Sequence, residues 1–533
     1  MSKKPASPVS ALAPSSLATM QDKIEDLRVR QARSREMGGA DAITRHRASG
    51  RLPVRERLTL LLDHDSWFEI GALALPELRT NRFVPGDGVV TGFGRIDHRP
   101  VGVIGIDSTI LAGTTAPISM RKQSRLIEKA QHSGFPIVLL CDADGGRIPD
   151  VMGWRFSGLP LDFRSFVKPA KGQVAVPRAA AILGPSYGDS ALHASTAHFV
   201  VMIESGAVAL SGPSVIQPAI GEIISDQDLG GPGPAQAAGN VHLVVATEAE
   251  AMEAIATFLS YLPSNAGLAA SVAPARSPSR EPESLAELVP LGSRAAYDMV
   301  RVLEAIADAH SIFAWGNGWG SSLITALARI DGAPVGLIAN QPMIGAGALD
   351  PSALEKEHDF VAMCDTFNIP LVFLNDVPGL MIGSQAERGG ILKAYEKLVA
   401  RIADANVPKV TVILRKAYGG GHFAMGGRPT NPDFVFAWPS AEMGFMAPET
   451  GVNTVYRRRL EKLTLEEGAE AAGALSTSLT QQWTVESEPW EAAAHTFLDD
   501  VIEPAATRDV VARAIDIAWG PREPRIATRP IHR

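Results

Sequence analysis

The sequence predicts an α/β protein built from two similar domains. Short apolar segments such as IVLLCD (137–142) and LVFLND (371–376) alternate with helix-type segments such as SMRKQSRLIEKAQHSG (119–134). Apolar strands separated by helices are typical of a largely parallel, buried sheet with crossover connections. The whole series occurs twice along the chain, so we predict two α/β domains in tandem.

The two series are copies of one another. GRIDHRPVGVIG around Arg95 returns as ARIDGAPVGLIA around Arg329, 234 positions later. FPIVLLCDADGG returns as IPLVFLNDVPGL at the same interval, from Pro136 to Pro370. Two further pairs follow in the same order: VPRAAAILGPSYGD with VPKVTVILRKAYGG, and HFVVMIESGAVALSGP with DFVFAWPSAEMGFMAP. Four matched segments at a nearly constant interval indicate an internal duplication.

Composition places the boundary between the copies near the middle of the chain. Residues 264–290 are rich in Ser, Pro and Ala and have no sustained apolar period, which is typical of a linker. We therefore predict an N-terminal domain over 21–263 and a C-terminal domain over 291–533. Residues 1–20 are expected to form a flexible tail.

Charge and cysteine content argue against several classes of protein. The 533 residues carry a formal net charge of −8 with scattered basic residues, so we expect no nucleic-acid partner. We also expect no membrane segment and no secretory signal, because apolar runs of the required length and place are missing from the sequence. With only Cys141 and Cys364, we expect neither a disulfide framework nor a cysteine-rich metal site. The chain is predicted to be cytoplasmic and to hold no metal.

Three consecutive glycines follow one predicted strand of the second copy. The strand VPKVTVIL (407–414) leads to Gly419, Gly420 and Gly421, where a helix is expected to begin. Glycine lets a ligand approach backbone N–H groups, and a helix N-terminus adds unpaired donors. Such donors suit a phosphate or an oxyanion that develops during a reaction. The motif is neither a Walker A loop nor G-x-G-x-x-G, and tight helix–strand packing would also explain the glycines.

Each copy contains two strand–turn segments of this type. One pair of turns is Asp142–Gly146 and Asp376–Gly379, and the other is Tyr187–Gly188 and Tyr418–Gly419. In a parallel sheet, such turns meet at the carboxyl ends of the strands, where ligands bind. Two similar sites would hold two oxyanions, one in each copy.

Beyond these patterns, the chain resembles a known family over residues 21–517. It is similar to the carboxyltransferase (β) subunits of biotin-dependent acyl-CoA carboxylases, such as propionyl-CoA and methylcrotonyl-CoA carboxylase. The matching segments include SGRLPVRERLTLLLD (49–63), GDGVVTGFGRIDHRPVGV (86–103), GLIANQPM (336–343), CDTFNIPLVFLNDVPG (364–379), ERGGILKAYEKL (387–398), VPKVTVILRKAYGGGHFAMGG (407–427) and FAWPSAEMGFM (436–446).

The resemblance implies two crotonase-like domains that move CO2 from N1 of carboxybiotin to the α-carbon of an acyl-CoA. It implies two oxyanion holes of backbone N–H groups, one for the enolate and one for the biotin ureido oxygen. The implied partners are a biotin carboxylase and a biotin carboxyl carrier subunit on separate chains, since no biotin-attachment Met-Lys-Met and no ATP-binding segment is recognised. The implied assembly is a homo-oligomer, with a hexamer expected. Active sites are then expected between the N-terminal half of one chain and the C-terminal half of another.

The resemblance also assigns residues. The biotin side is expected at Gly419, Gly420 and Gly421, and the acyl-CoA side at Gly188, Asp189, Ser190, Gly145 and Gly146. Substrate contacts are expected from Phe423, His422, Asp144, Tyr187 and Tyr418. Phe423 lies where the family varies its side chain with the acyl group, so an aromatic ring there argues against a charged or very polar acyl end.

The N-terminal copy departs from the family pattern at two positions. Asp144 in DADGGRIPDV and Asp189 in GPSYGDSALHAS stand where the family has glycine. A carboxylate about 4 Å from an enolate oxygen would oppose it by roughly 4 kcal/mol. Asp189 would be harmless if it turned away to cap the following helix. Segment 152–173 has no family counterpart either, and its Trp, Phe and Arg side chains fit a different pocket or a variable surface loop.

Three functions remain open at this point. The first, which we take as the prediction, is the carboxyltransferase component of a biotin-dependent acyl-CoA carboxylase with an unusual acyl substrate. The second is a decarboxylase or another enolate chemistry in which Asp144 or Asp189 serves as acid or base. The third is a non-catalytic paralogue that assembles with an active β-subunit.

Overall fold

The computed structural model describes residues 19–78, 83–160 and 174–520. The chain divides into two compact units. The first runs to Ser260 and takes in Ser264–Gly267, and the second consists of Tyr261–Pro263 and the chain from Leu268 onward. Residues 1–18 of the expected tail lie outside the described residues. The same holds for 161–173, which contain Phe163 and Arg164 of the segment without a family counterpart.

The first unit is built on an eight-stranded sheet with the order β1-β2-β3-β4-β5-β6-β8, and β7 pairs with β5. The pairs β1–β2 and β2–β3 are antiparallel, and all the others are parallel. The strands are β1 Phe68–Ile70, β2 Val89–Ile96, β3 Arg99–Ile106, β4 Ile137–Asp144, β5 Arg178–Tyr187, β6 Phe199–Ile203, β7 Ala207–Ala209 and β8 Leu243–Val245.

The second unit repeats this sheet strand for strand. Its order is β9-β10-β11-β12-β13-β14-β16 with β15 beside β13, and antiparallel pairs again occur only at the β9–β10–β11 edge. The duplicated α/β architecture predicted from the sequence is therefore confirmed. The strands are β9 Phe313–Ala314, β10 Leu323–Ile330, β11 Ala333–Asn340, β12 Leu371–Val377, β13 Lys409–Tyr418, β14 Phe434–Ala437, β15 Glu442–Gly444 and β16 Asp500–Val501.

The duplication extends to backbone conformations that residues other than glycine normally avoid. Several pairs of residues with left-handed φ are each separated by 234 positions, as are the matched sequence segments. A positive φ is uncommon for residues other than glycine, so its repetition shows that both copies keep the same turns. Three of these pairs are Asp97 and Asp331 (48° and 50°), Ala112 and Ala346 (54° and 56°), and Gly134 and Asn368 (68° and 58°).

Helices cover the sheets and end where the sequence supplies cap residues. The helix Pro117–Ser133 starts with proline and stops at Gly134, whose φ of 68° is left-handed. Its counterpart Pro351–Thr366 starts after Asp350, whose carboxylate accepts the Ala353 N–H at 2.7 Å.

The remaining helices fall into the same two units. In the first they are Met20–Ser34, Ala40–Ala48, Val54–Leu61, Ile148–Val151, Asp189–Ser195, Pro213–Ile220, Asp226–Gly230, Pro232–Ala237 and Glu248–Tyr261, whose last residue falls in the second unit. In the second they are Leu285–Leu288, Met299–Ile306, Ser384–Arg388, Ile391–Asp404, Gly419–Ala424, Pro448–Val455, Arg457–Glu467, Ala469–Glu486, Pro489–Ala494 and Thr507–Trp519.

Each unit has its own apolar core on its sheet. Every residue of β12 and β13 is buried, which is typical of parallel strands covered on both faces. Part of the predicted linker also belongs to a core, because Leu285 and Val289 pack into the core of the second unit. In the part of the chain that the structure describes, we find no helix with the length and apolar character to cross a membrane.

Candidate active site

Two turns of the first unit meet at the carboxyl ends of β4 and β5. Asp144 and Tyr187, the last residues of these strands, are paired in register. Gly145 and Gly188 follow them with φ of 81° and 62°, a conformation that favours glycine. A Cβ on Gly188 would lie 3.3 Å from the Gly145 Cα atom. The structure thus brings together the N-terminal turns that the sequence singled out.

The corresponding turns of the second unit also lie close together. Gly379 follows β12 with φ of 134°, and Gly419 follows β13 with φ of 55°. A Cβ on Gly421 would lie 2.9 Å from both the Gly379 Cα atom and the Val377 Cγ2 atom. Gly421 therefore cannot carry a side chain unless the backbone moves. The helix Gly419–Ala424 begins here, and the N–H groups of a first helical turn have no acceptor within the helix.

Matching hydrogen bonds hold the first turn of each unit in place. Thr115 donates its N–H to the Gly145 carbonyl at 2.9 Å, and Leu349 donates to the Gly379 carbonyl at 3.2 Å. These bonds tie each turn to the segment just before the helix Pro117–Ser133 or Pro351–Thr366. Each unit thus has one backbone cradle, formed by its two glycine turns.

Asp189 points into the protein. Its carboxylate accepts a hydrogen bond from the Thr115 hydroxyl at 2.7 Å, and the residue is 7% exposed. The N–H of Gly188 is also engaged, since it donates to the Leu210 carbonyl at 3.1 Å. Burial raises the pKa of the Asp189 carboxyl, although hydrogen bonds from Thr115 and from the N–H groups of Asp189 and Ser190 lower it in part. From the sequence we considered a carboxylate near the enolate or one turned away to cap the helix. In the structure Gly188 is the N-cap without a side-chain cap bond, and the Asp189 carboxylate is turned to Thr115.

We expect Asp189→Asn to stabilise the protein at alkaline pH. A carboxyl whose pKa is raised on folding costs stability as the pH rises from its unfolded pKa through the folded value, and that cost persists above it. Asparagine does not ionise, and its amide oxygen still accepts the hydrogen bond from the Thr115 hydroxyl. The melting temperature of the variant should exceed that of wild type by about 2 °C or more at pH 8, and the gain should vanish near about pH 4.

Thermal unfolding across this pH range would check the expectation. Asp65→Asn provides the control, because the Asp65 side chain is 89% exposed and should give no such trend. A melting temperature of Asp189→Asn below wild type at pH 8 would show that the folded protein uses the charge.

The tyrosines at the strand ends have carboxylate partners inside their own units. The Tyr187 hydroxyl donates to Asp226, and the Tyr418 hydroxyl donates to Glu442 Oε2 at 2.5 Å. Both residues are buried, and burial together with these carboxylates raises the pKa of each phenol. Their hydroxyls therefore anchor the ends of β5 and β13.

The other predicted contact residues lie around the two turns. His422 Nδ1 lies 3.1 Å from Asn375 Nδ2, and burial lowers the pKa of His422 to about 4, so that the imidazole is neutral at physiological pH. The Phe423 ring is 5.9 Å from the His422 ring, and Phe423 is 37% exposed. Asp144 is exposed at the end of β4, where partial desolvation of its carboxyl and the charge of Asp226 raise its pKa. Ser190 is buried beside Cys141.

A buried ionic cluster supports the turn before Gly379. Asp376 Oδ2 lies 3.0 Å from Arg415 Nη2, and both side chains are fully buried. The Tyr297 hydroxyl donates to the same carboxylate at 2.8 Å, and the Lys416 N–H donates to it at 3.1 Å. The sequence placed Asp376 in a strand–turn segment, but it gave no signal for Tyr297, which is 79 positions away.

The first unit contains an equivalent cluster around Asp142. Its carboxylate lies 2.9 Å from Arg51 Nη1 and 3.0 Å from Arg57 Nη2, and the Ser108 hydroxyl donates to it at 2.8 Å. Each unit thus ties its first turn to a buried aspartate. Within the described ranges, no group of three or more His, Cys, Asp and Glu side chains is placed to hold a metal ion.

Comparison with known proteins identifies relatives along most of the chain. Residues 45–530 match the family model described as the carboxyl transferase domain. The methylmalonyl-CoA carboxyltransferase 12S subunit of Propionibacterium freudenreichii subsp. shermanii is 35% identical, covering 96% of this chain and 97% of that protein. The biotin-dependent long chain acyl-coenzyme A carboxylase beta4 subunit of Mycobacterium tuberculosis is also 35% identical, covering 94% and 95%.

A solved structure shows that the similarity extends to the fold. The crystal structure of transcarboxylase 12S, described as a hexamer assembly with methylmalonyl-coenzyme A and methylmalonic acid bound, superposes with a TM-score of 0.88. The two sequences are 34% identical over 97% of this chain and 98% of that one. The architecture of the two units is therefore the one found in that enzyme.

Proposed function

Because the chain belongs to the carboxyl transferase domain family, we propose that it transfers CO2 from carboxybiotin to the α-carbon of an acyl-CoA. The observation that carries this proposal is the repetition of the same two glycine turns after matched strands in both units, Gly145 and Gly188 in the first and Gly379 and Gly419 in the second. The transfer creates negative charge on two oxygens, the thioester enolate and the biotin ureido oxygen. Two sets of backbone donors meet that requirement without a titrating side chain.

We assign biotin to the cradle of the second unit. Carboxybiotin reaches this chain as a substrate and supplies the CO2. Because residues 420 and 421 are glycines, they have no side chain that would cover their N–H groups. At Gly421 there is also no room for a side chain. These N–H groups would bind the ureido oxygen more tightly as its charge develops. Removing one such donor typically lowers the rate by about 10²–10³.

We assign the acyl-CoA thioester to the cradle of the first unit. Its turns contain Gly145, Gly146, Gly188, Asp189 and Ser190. The Gly188 N–H already donates a hydrogen bond to the Leu210 carbonyl. The N–H groups of Asp189 and Ser190 turn to the Asp189 carboxyl, so they serve the enolate only when they leave that carboxyl. The Asp189 carboxyl is directed towards Thr115, and burial raises its pKa.

We also propose a separate biotin carrier with its biotin carboxylase, and a homo-hexamer of this chain in the cytoplasm. The hexamer is supported by the assembly of transcarboxylase 12S, which matches this chain over nearly its whole length. Biotin is supported by the biotin-dependent β4 subunit among the relatives.

Labelled bicarbonate would test the proposed function. The assay contains ATP, a panel of acyl-CoA thioesters, this protein, and the biotinylated carrier and biotin carboxylase from the same cell. Label in at least one carboxylated thioester establishes the transfer. Decarboxylation of a carboxylated thioester without any forward transfer would support the second reading, in which Asp144 or Asp189 acts as acid or base. If the protein binds no acyl-CoA, the third function, that of a non-catalytic paralogue, is the one that remains.

We expect Phe423→Asp to change which thioester is carboxylated. An aromatic surface favours an apolar acyl chain, and a carboxylate in its place must be desolvated against that chain. The ratio of kcat/KM for a longer apolar acyl-CoA over acetyl-CoA should fall by about tenfold or more. Steady-state kinetics with both thioesters measure this ratio. An unchanged ratio would mean that the Phe423 ring does not contact the acyl group.

A further inference from the structure

Tyr395 lies against the glycine turn of the second unit. It belongs to the helix Ile391–Asp404, and its side chain reaches the turn after β13. The hydroxyl oxygen is 3.3 Å, and the Cζ atom 3.4 Å, from the point where a Cβ on Gly420 would stand. Leu380 Cδ1 lies 3.2 Å from the same point. The phenol therefore lies over Gly420, a first-turn residue of the cradle.

The Tyr395 hydroxyl has no hydrogen-bond partner among residues 19–78, 83–160 and 174–520. In this it differs from Tyr187 and Tyr418, whose hydroxyls donate to Asp226 and Glu442. Tyrosine hydroxyls usually find a hydrogen-bond partner when they are buried, and Tyr395 is half-buried. Burial also raises the pKa of Tyr395, so the group keeps its proton at physiological pH and can act as a donor.

We propose that the Tyr395 hydroxyl donates a hydrogen bond to the ureido oxygen of carboxybiotin held at Gly419–Gly421. This inference rests on the proposed function and adds a side-chain donor to the backbone donors. The tyrosine keeps its proton throughout, and no bond to Tyr395 forms or breaks. The hydrogen bond strengthens as negative charge develops on the oxygen, so it favours the transition state over the bound substrate.

The test is Tyr395→Phe, which removes the hydroxyl and keeps the ring over Gly420 and Leu380. We expect kcat for transfer from the biotinylated carrier to fall by about ten- to a hundredfold, with an unchanged KM for the acyl-CoA. Binding of free biotin, measured by calorimetry without acyl-CoA, should weaken by only about two- to tenfold. The larger effect on kcat separates a donor to the developing charge from a packing residue.

Tyr456→Phe is the matched control, because Tyr456 is a half-buried tyrosine at the end of the helix Pro448–Val455. It should leave kcat and biotin binding unchanged. Wild-type values of kcat and biotin binding in Tyr395→Phe would overturn the inference and leave the proposed function intact. A raised KM for acyl-CoA with normal biotin binding would also overturn it. Wild-type protein that transfers no carboxyl group would overturn the proposed function and this inference together.

Discussion

Carboxyl transfer should fall by at least about a hundredfold in the Gly421→Ala variant. The new methyl group would lie 2.9 Å from the Gly379 Cα atom and 2.9 Å from Val377 Cγ2. Separations this short are not tolerated between carbon atoms, and the Gly379 contact is with backbone. The two turns of the second unit must therefore separate, which displaces the N–H groups that we assign to biotin. Initial rates with the biotinylated carrier, together with circular dichroism to confirm folding, measure the effect.

Gly473→Ala supplies the control for this substitution. Gly473 lies in the helix Ala469–Glu486, and a Cβ there would meet no atom within 4 Å. Alanine is favoured over glycine inside a helix by about 1 kcal/mol, so this variant should be as active as wild type and slightly more stable. If Gly421→Ala is as active as Gly473→Ala, the N–H groups that bind biotin lie elsewhere in the protein.

Asp376→Asn should lower the melting temperature of the second unit by about 10 °C. The change leaves the fully buried guanidinium of Arg415 without its charged partner, which is 3.0 Å away. Breaking a buried ion pair costs about 3–5 kcal/mol, because the remaining charge has no solvent around it. Differential scanning calorimetry would show the shift.

An exposed ion pair provides the comparison for Asp376. Arg457 and Glu461 are 3.0 Å apart, with side chains 75% and 61% exposed. Such pairs contribute roughly 0.5 kcal/mol, so Glu461→Gln should move the melting temperature by less than about 2 °C. Similar shifts for Asp376→Asn and Glu461→Gln would mean that the Asp376 cluster does not stabilise the unit.

The sequence predicted the fold well because the fold depends on features that are local and repeated. Buried strands such as 137–142 and 371–376 appear as apolar runs, and the common interval between Arg95–Arg329 and Pro136–Pro370 shows the duplication directly. Turns at Gly145 and Gly188 were predictable for the same reason, since strand, turn and helix follow one another along the chain.

Much of the site was not predictable, because it depends on contacts between distant positions. Tyr395 reaches Gly420 from another helix, and its segment ILKAYEKL is that of an ordinary amphipathic helix. The orientation of Asp189 depends on Thr115, 74 positions away, and neither residue type indicates the direction of the carboxyl. The resemblance to the family identified the turns. Only the structure shows which of their N–H groups already donate hydrogen bonds within the protein.

The matched turns also have an evolutionary consequence. Asp189 stands 231 positions before Gly420, the same interval that separates Tyr187 from Tyr418. An aspartate codon becomes a glycine codon through a single nucleotide change. Because Gly188 has a left-handed φ and a bond to Leu210, an Asp189→Gly variant would inherit a turn that already contains glycine at its start. Selection can thus alter the chemistry of one repeat in a single step while its main chain remains as it is.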